Sequence, residues 1–295
     1  MQNFIQLHSD NQIEAERLVY IDFKLLFTGS INRSDLKDAF GIKDVTSSNL
    51  LKQYKEKSPQ NMAYTPKLHA NSIVRDTFTP MIKYDAETAL GMLANGFNKN
   101  KLIDKPMLPY ARGGKVKNQF NVDDVAKITR AINGNYTIRC RYISENSRNH
   151  NVRELAPLAL LFDGRTWIFR AFDRTDRKFK HFNFSRVVNP VEQLDVRKSE
   201  AESLKFDREW NTMVPLFLKL HPNIKTEEKK EVVRMDFGME ADSNELIVTE
   251  RASMLWILEK QWLIDTSETP YSGERFYRFY LANKDMVDDI IEQFE

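Results

Sequence analysis

Over the first sixty residues the apolar positions recur at helical spacing and are interrupted by short polar breaks. Ile13, Leu18, Ile21, Leu25 and Leu26 line one side of about four turns that stop near Gly29, so a helix is predicted there. A second helix is predicted over 32–40, capped by Asn32 with Asp35 three residues on, and Gly41-Ile42 makes the next turn. A third starts near Thr46-Ser47 and turns Leu50, Leu51 and Tyr54 inward. Two short helices around a glycine turn predict a helix-turn-helix. Strand-like runs at 62–65 and 72–78, joined by a turn at Pro66, predict a wing behind it.

The middle of the chain changes period. Helices are predicted over 85–97, capped by Asp85, and over 121–134, where Asn121 and Asp124 open the helix and Asn133-Gly134 close it. Pro106, Pro109 and Gly113-Gly114 mark a connecting segment between them. Strand alternation follows at 136–143, at 158–162 and 166–172 on either side of an Asp163-Gly164 hairpin turn, and at 179–184. Beyond residue 200 the expected order is helix 206–220, strand 231–237, helix 251–262, strands 263–269 and 276–281, and helix 284–294, a small α+β domain.

Composition narrows the class. At 295 residues, 41% hydrophobic and 29% charged, the chain has the balance of a soluble globular protein. No apolar run approaches the roughly 20 residues of a membrane span. The first residues lack a basic segment followed by an apolar one, and Cys140 is the sole cysteine, so a reducing cytoplasmic setting is expected. Net charge is only +2, but lysine plus arginine against aspartate plus glutamate stand at 11 to 11 over residues 1–98, 19 to 10 over 99–195, and 14 to 21 over 196–295. A basic centre predicts an anionic partner there.

Several longer motifs carry a resemblance. Glu154-Leu155-Ala156-Pro157, the hairpin holding Trp167-Ile168-Phe169, and the aromatic run His181-Phe182-Asn183-Phe184-Ser185-Arg186 resemble the WYL domain, a small SH3-like β-barrel of bacterial transcription regulators. Arg17 to Phe23, Phe27-Thr28-Gly29, Asn32 to Leu36, Phe40-Gly41-Ile42, and Tyr54 before Ser58-Pro59 are similar to the winged helix of one subgroup. That subgroup contains repressors encoded beside BREX and CBASS phage-defence systems. The resemblance implies an α+β multidomain chain: a winged helix-turn-helix at 1–98, a helical linker at 99–134, a WYL barrel at 135–200 and a C-terminal α+β dimerisation domain at 201–295. It further implies a homodimeric repressor of a phage-defence operon, binding an inverted-repeat operator in double-stranded DNA and modulated by a nucleotide or single-stranded nucleic acid at the WYL domain.

Candidate residues follow. Thr46, Ser47, Ser48, Asn49, Lys52 and Gln53 offer the short donors and acceptors and the cations that base edges and phosphates require. Arg33, Lys55, Lys67 and His69 are phosphate candidates. Taken alone, the third helix's polar face reads as solvated surface; its place after a turn and before a wing reverses that in favour of DNA. In the WYL region the candidates are Tyr142, Ser144, Arg153, Arg170, His181, Phe182, Ser185 and Arg186. Arginine suits phosphate through its planar fork, yet Arg170 and Arg186 are equally placed for ion pairs with Glu154 or Asp173. Trp167 reads as core rather than as a stacking platform.

Catalysis finds little support. His8, His69, His150, His181 and His221 are far apart, Cys140 stands alone, and Gly113-Gly114-Lys115 lacks the rest of a phosphate loop. No cofactor and no enzymatic role are expected. An activator of the same architecture, or a nucleic-acid-processing enzyme targeted by its winged helix, remain the alternatives.

Overall fold

The computed structural model describes residues 12–103, 108–111, 113–114, 116, 119–144, 152–273 and 276–294. The chain divides into two compact units, Met1–Lys198 and Ser199–Glu295.

The first unit opens with α1 (Gln12–Thr28), β1 (Ser30–Ile31), α2 (Arg33–Phe40) and α3 (Asp44–Lys57), followed by β2 (Met62–Thr65) and β3 (Ala70–Ile73). Asn32 and Asp35 form a reciprocal capping box at the start of α2, and Gly41 ends it in the left-handed region at φ 62°. Strand β3 lies between β1 and β2 in a three-stranded antiparallel sheet, so a short strand between the first two helices completes the wing. The second wing strand begins at Ala70, not at 72, because the turn after Pro66 is one short 3-10 turn.

Helix α1 has two apolar sides. Leu18, Ile21 and Leu25 pack with Leu36, Leu50, Leu51, Tyr54 and Met62 to form the helix-turn-helix core. Val19, Phe23 and Phe27 face the other way, into a core shared with α4 (Ala86–Asn95), α6 (Val122–Gly134) and the following sheet. A short helix, α5 (Asn100–Ile103), lies between α4 and α6.

That sheet contains β4 (Tyr136–Tyr142), β5 (Val152–Phe162), β6 (Trp167–Asp173), β7 (Lys178–Asn183) and β8 (Val187–Arg197), in the order β7-β6-β5-β4-β8. All four ladders are antiparallel, with β7 and β8 at the two ends. Strand β8 was absent from the expected pattern. Trp167 to Ala171 are buried on both faces of β6, so Trp167 is core as expected.

The second unit has α7 (Arg208–Asn211), β9 (Met213–Leu220), α8 (Glu227–Asp236), β10 (Glu245–Arg251), α9 (Leu255–Trp262), β11 (Ile264–Asp265), β12 (Phe279–Leu281) and α10 (Lys284–Glu292). Its sheet order is β10-β9-β12-β11. Two expectations are corrected here. Residues 213–220 form a strand rather than a helix, since Val214, Leu216, Leu218 and Leu220 are buried at a period of two. Residues 227–236 form a helix rather than a strand, capped by the Thr226 side chain. No described helix is long and apolar enough to cross a membrane.

Candidate nucleic-acid interface

Helix α3 sorts its residues by spacing. Ser47, Leu50, Leu51 and Tyr54 fall at i, i+3, i+4 and i+7 and are all buried. Ser48, Asn49, Lys52 and Lys55 are exposed, with Thr46 and Gln53 at the flanks of that face. Ser47 is therefore corrected: fully buried, its hydroxyl donates to the Lys43 carbonyl at 3.2 Å, so it cannot reach a base edge. Gln53 donates its amide to Glu14 of α1, which leaves only part of its capacity for an outside partner. Lys52 has a loose 3.9 Å pairing with Glu56, both largely exposed. Arg33 is exposed at the start of α2, and Lys67 and His69 are exposed at the wing tip, where His69 takes a left-handed φ of 49°.

What fixes α3 against the rest is a buried polar cluster that the sequence reading passed over. Asp22, on α1 and wholly buried, accepts from Tyr54 Oη at 2.6 Å, Tyr84 Oη at 3.0 Å and the Met81 amide at 3.1 Å. Burial pushes its carboxyl up to about 6, although all three donors pull the other way. Asn61 extends the cluster, donating to Tyr54 Oη at 2.9 Å and to the Thr79 carbonyl at 2.8 Å. The signal available in the sequence was a carboxylate inside an otherwise apolar helical stretch.

In the WYL region the eight candidates do not form one basic pocket. Arg170 is 1% exposed and lies inside the sheet's core. Phe182 is buried, stacked on Phe169 at 5.5 Å and edge-on to Tyr142 at 5.0 Å. Arg153 is tied to Asp173 and, at 2.9 Å, to Asp176, whose carboxyl is held down at about 2 by Lys180 and Arg153. His181 is pushed down to about 3, by burial first and by Arg170 second, so it is neutral at pH 7 and supplies no charge. These four are corrected from ligand-facing to interior or ion-paired roles. Burial likewise pushes the Cys140 thiol up to about 12.

The remaining four cluster at one end of β4. Tyr142 accepts from the Asn183 amide at 3.0 Å, and the Ile143 amide donates to the Arg186 carbonyl at 3.0 Å. The Arg186 side chain hydrogen-bonds the Tyr142 phenol. Ser185 is exposed and donates to Asn183 Oδ1 at 2.7 Å, while Ser144 is half-buried nearby in sequence on the same strand end. Among the described residues no group of three His, Cys, Asp or Glu side chains is placed to hold a metal ion. His8, His150 and Lys115 lie outside the described residues.

Comparison with known proteins agrees with this layout. Residues 14–95 match the BrxR transcriptional regulator winged helix-turn-helix domain, 123–191 the WYL domain, and 215–287 the BrxR transcriptional regulator C-terminal dimerization domain. A DNA-binding transcriptional repressor CapW from Stenotrophomonas maltophilia is 30% identical over 234 residues, 77% of this chain and 76% of the relative. The chain belongs to this BrxR/CapW family of winged-helix WYL regulators. Further CapW relatives extend the alignment to 95% of this chain and 92% of theirs, at 27% identity in Pseudomonas aeruginosa and 26% in Escherichia coli. The family's winged-helix match ends at the C-terminus of α4, and its WYL match begins one residue into α6.

Proposed function

We propose that this chain is a DNA-binding transcriptional repressor of a phage-defence operon, acting as a homodimer on an inverted repeat. The observation that carries the reading is the exposed face of α3. Ser48, Asn49, Lys52 and Lys55 stand opposite a fully buried side, beside a wing with Lys67 and His69 at its tip. Such a helix presents its polar face to the major groove while the wing meets flanking phosphates. The charges of the winged domain balance, so a single copy holds DNA weakly and two half-sites are needed. The basic middle third supports an anionic effector, with Arg186, Ser185, Ser144 and the Tyr142 phenol as its candidate contacts. For such a ligand to regulate, it must bind the DNA-competent and DNA-incompetent states with different affinities.

The test is selection of duplexes from a random pool by the full-length chain, followed by anisotropy titrations. An inverted repeat with half-sites about one helical turn apart, or a multiple of it, is expected. Ser48→Ala and Asn49→Ala should cost roughly 1–3 kcal/mol each at cognate sequence. Lys52→Ala should flatten the salt dependence by about one unit. Unchanged affinity in all three folded variants would remove α3 from the groove.

A further inference from the structure

Strand β10 is an edge with unusual features. Among the described residues it pairs only with β9, through seven consecutive residues with no bulge and no proline. Natural sheets normally blunt such an edge with a bulge, a proline or lysines. Its outward face joins a cross-strand apolar surface: Ile247 opposite Phe217, with Met213 further along, exposed by 65%, 43% and 49%. The β10 row ends in charge: Glu245, which pairs with Lys219 of β9 at 3.1 Å, and Arg251, whose guanidinium donates to the Trp210 carbonyl at 2.5 Å.

Backbone direction identifies which groups the edge offers. The Leu220 amide donates to the Asn244 carbonyl, and the Ala252 amide to the Thr212 carbonyl, so even-numbered residues of this strand bond inward to β9. By alternation the odd residues 245, 247, 249 and 251 point their N–H and C=O outward. At the two ends these donors are already used: the Glu245 amide donates to Ser243 Oγ at 3.2 Å, and the Arg251 amide to Glu250 Oε1 at 2.7 Å. Ile247 and Thr249 are left as the outward-facing pair between two capped ends.

We propose that β10 is the strand through which two copies of this chain join, antiparallel and centred on Val248, so that two sheets merge into one. The inference rests on the homodimer reading above. Side chains directly opposite one another in an antiparallel ladder share a face, so the twofold axis must pass through a residue, and three registers are available. Centred on Val248, Ile247 and Thr249 of one copy exchange both hydrogen bonds with Thr249 and Ile247 of the other. That makes four bonds without displacing either end cap, and sets Glu245 opposite Arg251 of the second copy. Centred on Ile247 or Thr249, only two bonds form before a capped amide is needed, and Glu245 no longer faces Arg251 of the second copy, keeping only its pairing with Lys219 of β9 at 3.1 Å. The charge pattern and the caps therefore select one register.

Cysteine substitution in the full-length chain tests it. A non-hydrogen-bonded pair on a twofold axis brings its side chains close enough for a disulfide. Val248→Cys should give a disulfide-linked dimer under mild oxidation, whereas Ile247→Cys and Thr249→Cys should not; native Cys140 is buried and does not interfere. Ile247→Lys and Thr249→Pro alter only the outward edge and should convert the chain to a monomer by light scattering, with its circular dichroism unchanged. A wild-type dimer that survives both substitutions, or cross-links at 247 or 249 instead, would overturn this surface while leaving the homodimer standing. A wild-type chain that is monomeric at micromolar concentration would overturn the homodimer itself.

Discussion

Asp22 illustrates how one buried group can govern a surface it never reaches. It holds Tyr54 of α3, Tyr84 and the Met81 amide together, so α3 is oriented by a carboxylate on its far side. Asp22→Asn replaces one acceptor by a donor among three donors, and should cost about 1–3 kcal/mol of stability. Its pH dependence has a definite sign. Because the folded carboxyl titrates at about 6 rather than 3.8, the stability it contributes is complete below about pH 4 and is lost as pH rises through 6. Urea midpoints should therefore show a larger gap between wild type and Asp22→Asn at pH 4.5 than at pH 7; a gap that grows with pH would mean the carboxylate is held ionised. Ser47 teaches the complementary lesson. Its spacing to Leu50, Leu51 and Tyr54 already placed it on the buried side, but its polarity led the reading to the groove. Polarity names what a side chain can bond, and periodicity says to whom it is presented.

At the scale of elements, the parts with local punctuation were legible. Helices α2, α4 and α6 carry the asparagine or aspartate caps that the sequence announced. For α2 the cap is a large share of what holds it, since Leu36 is its one buried residue among eight. Asn32→Ala removes the acceptor for the Asp35 amide at 3.0 Å and should lower stability by about 0.5–2 kcal/mol, while Asn32→Ser should recover most of it. Equal urea midpoints for wild type and Asn32→Ala would show that packing alone fixes α2. Strand β9 was misread for a physical reason. Exposed Met213 precedes buried Val214, and exposed Phe217 sits between buried Leu216 and Leu218, so the row looks apolar throughout and its period of two is masked. Those exposed apolar groups are the ones the proposed joint between two copies would use. The missed β8 interleaves valines with Glu192, Gln193 and Asp195, without the steady alternation of its neighbours, and its partner is β4.

For the whole molecule, the units that fold together need not follow the domains that a sequence divides. Val19, Phe23 and Phe27 of α1 lie in the same core as Ile138, Leu155 and Phe169 of the WYL sheet. Arg130 of α6 strengthens the join, donating to the Leu26 carbonyl at 2.6 Å and to Gln193 Oε1 on β8 at 2.7 Å. No residue-by-residue pattern announces such sharing, because α1 shows only that both of its sides are apolar. The winged helix and the sheet should consequently unfold as one. Phe27 is fully buried, with ring contacts to Phe23 at 4.9 Å and Tyr84 at 5.6 Å, so Phe27→Ala should cost about 3–5 kcal/mol. The chain supplies its own reporter, since Trp167 lies in the sheet and Trp210, Trp256 and Trp262 all lie beyond residue 198. With fluorotryptophan incorporated, the fluorine resonance of Trp167 should disappear at distinctly lower urea in Phe27→Ala, while the other three keep their midpoints. If Trp167 instead holds its wild-type midpoint while α1 melts, the shared core does not couple the two, and any effector signal from the WYL sheet would have to reach the DNA by another route.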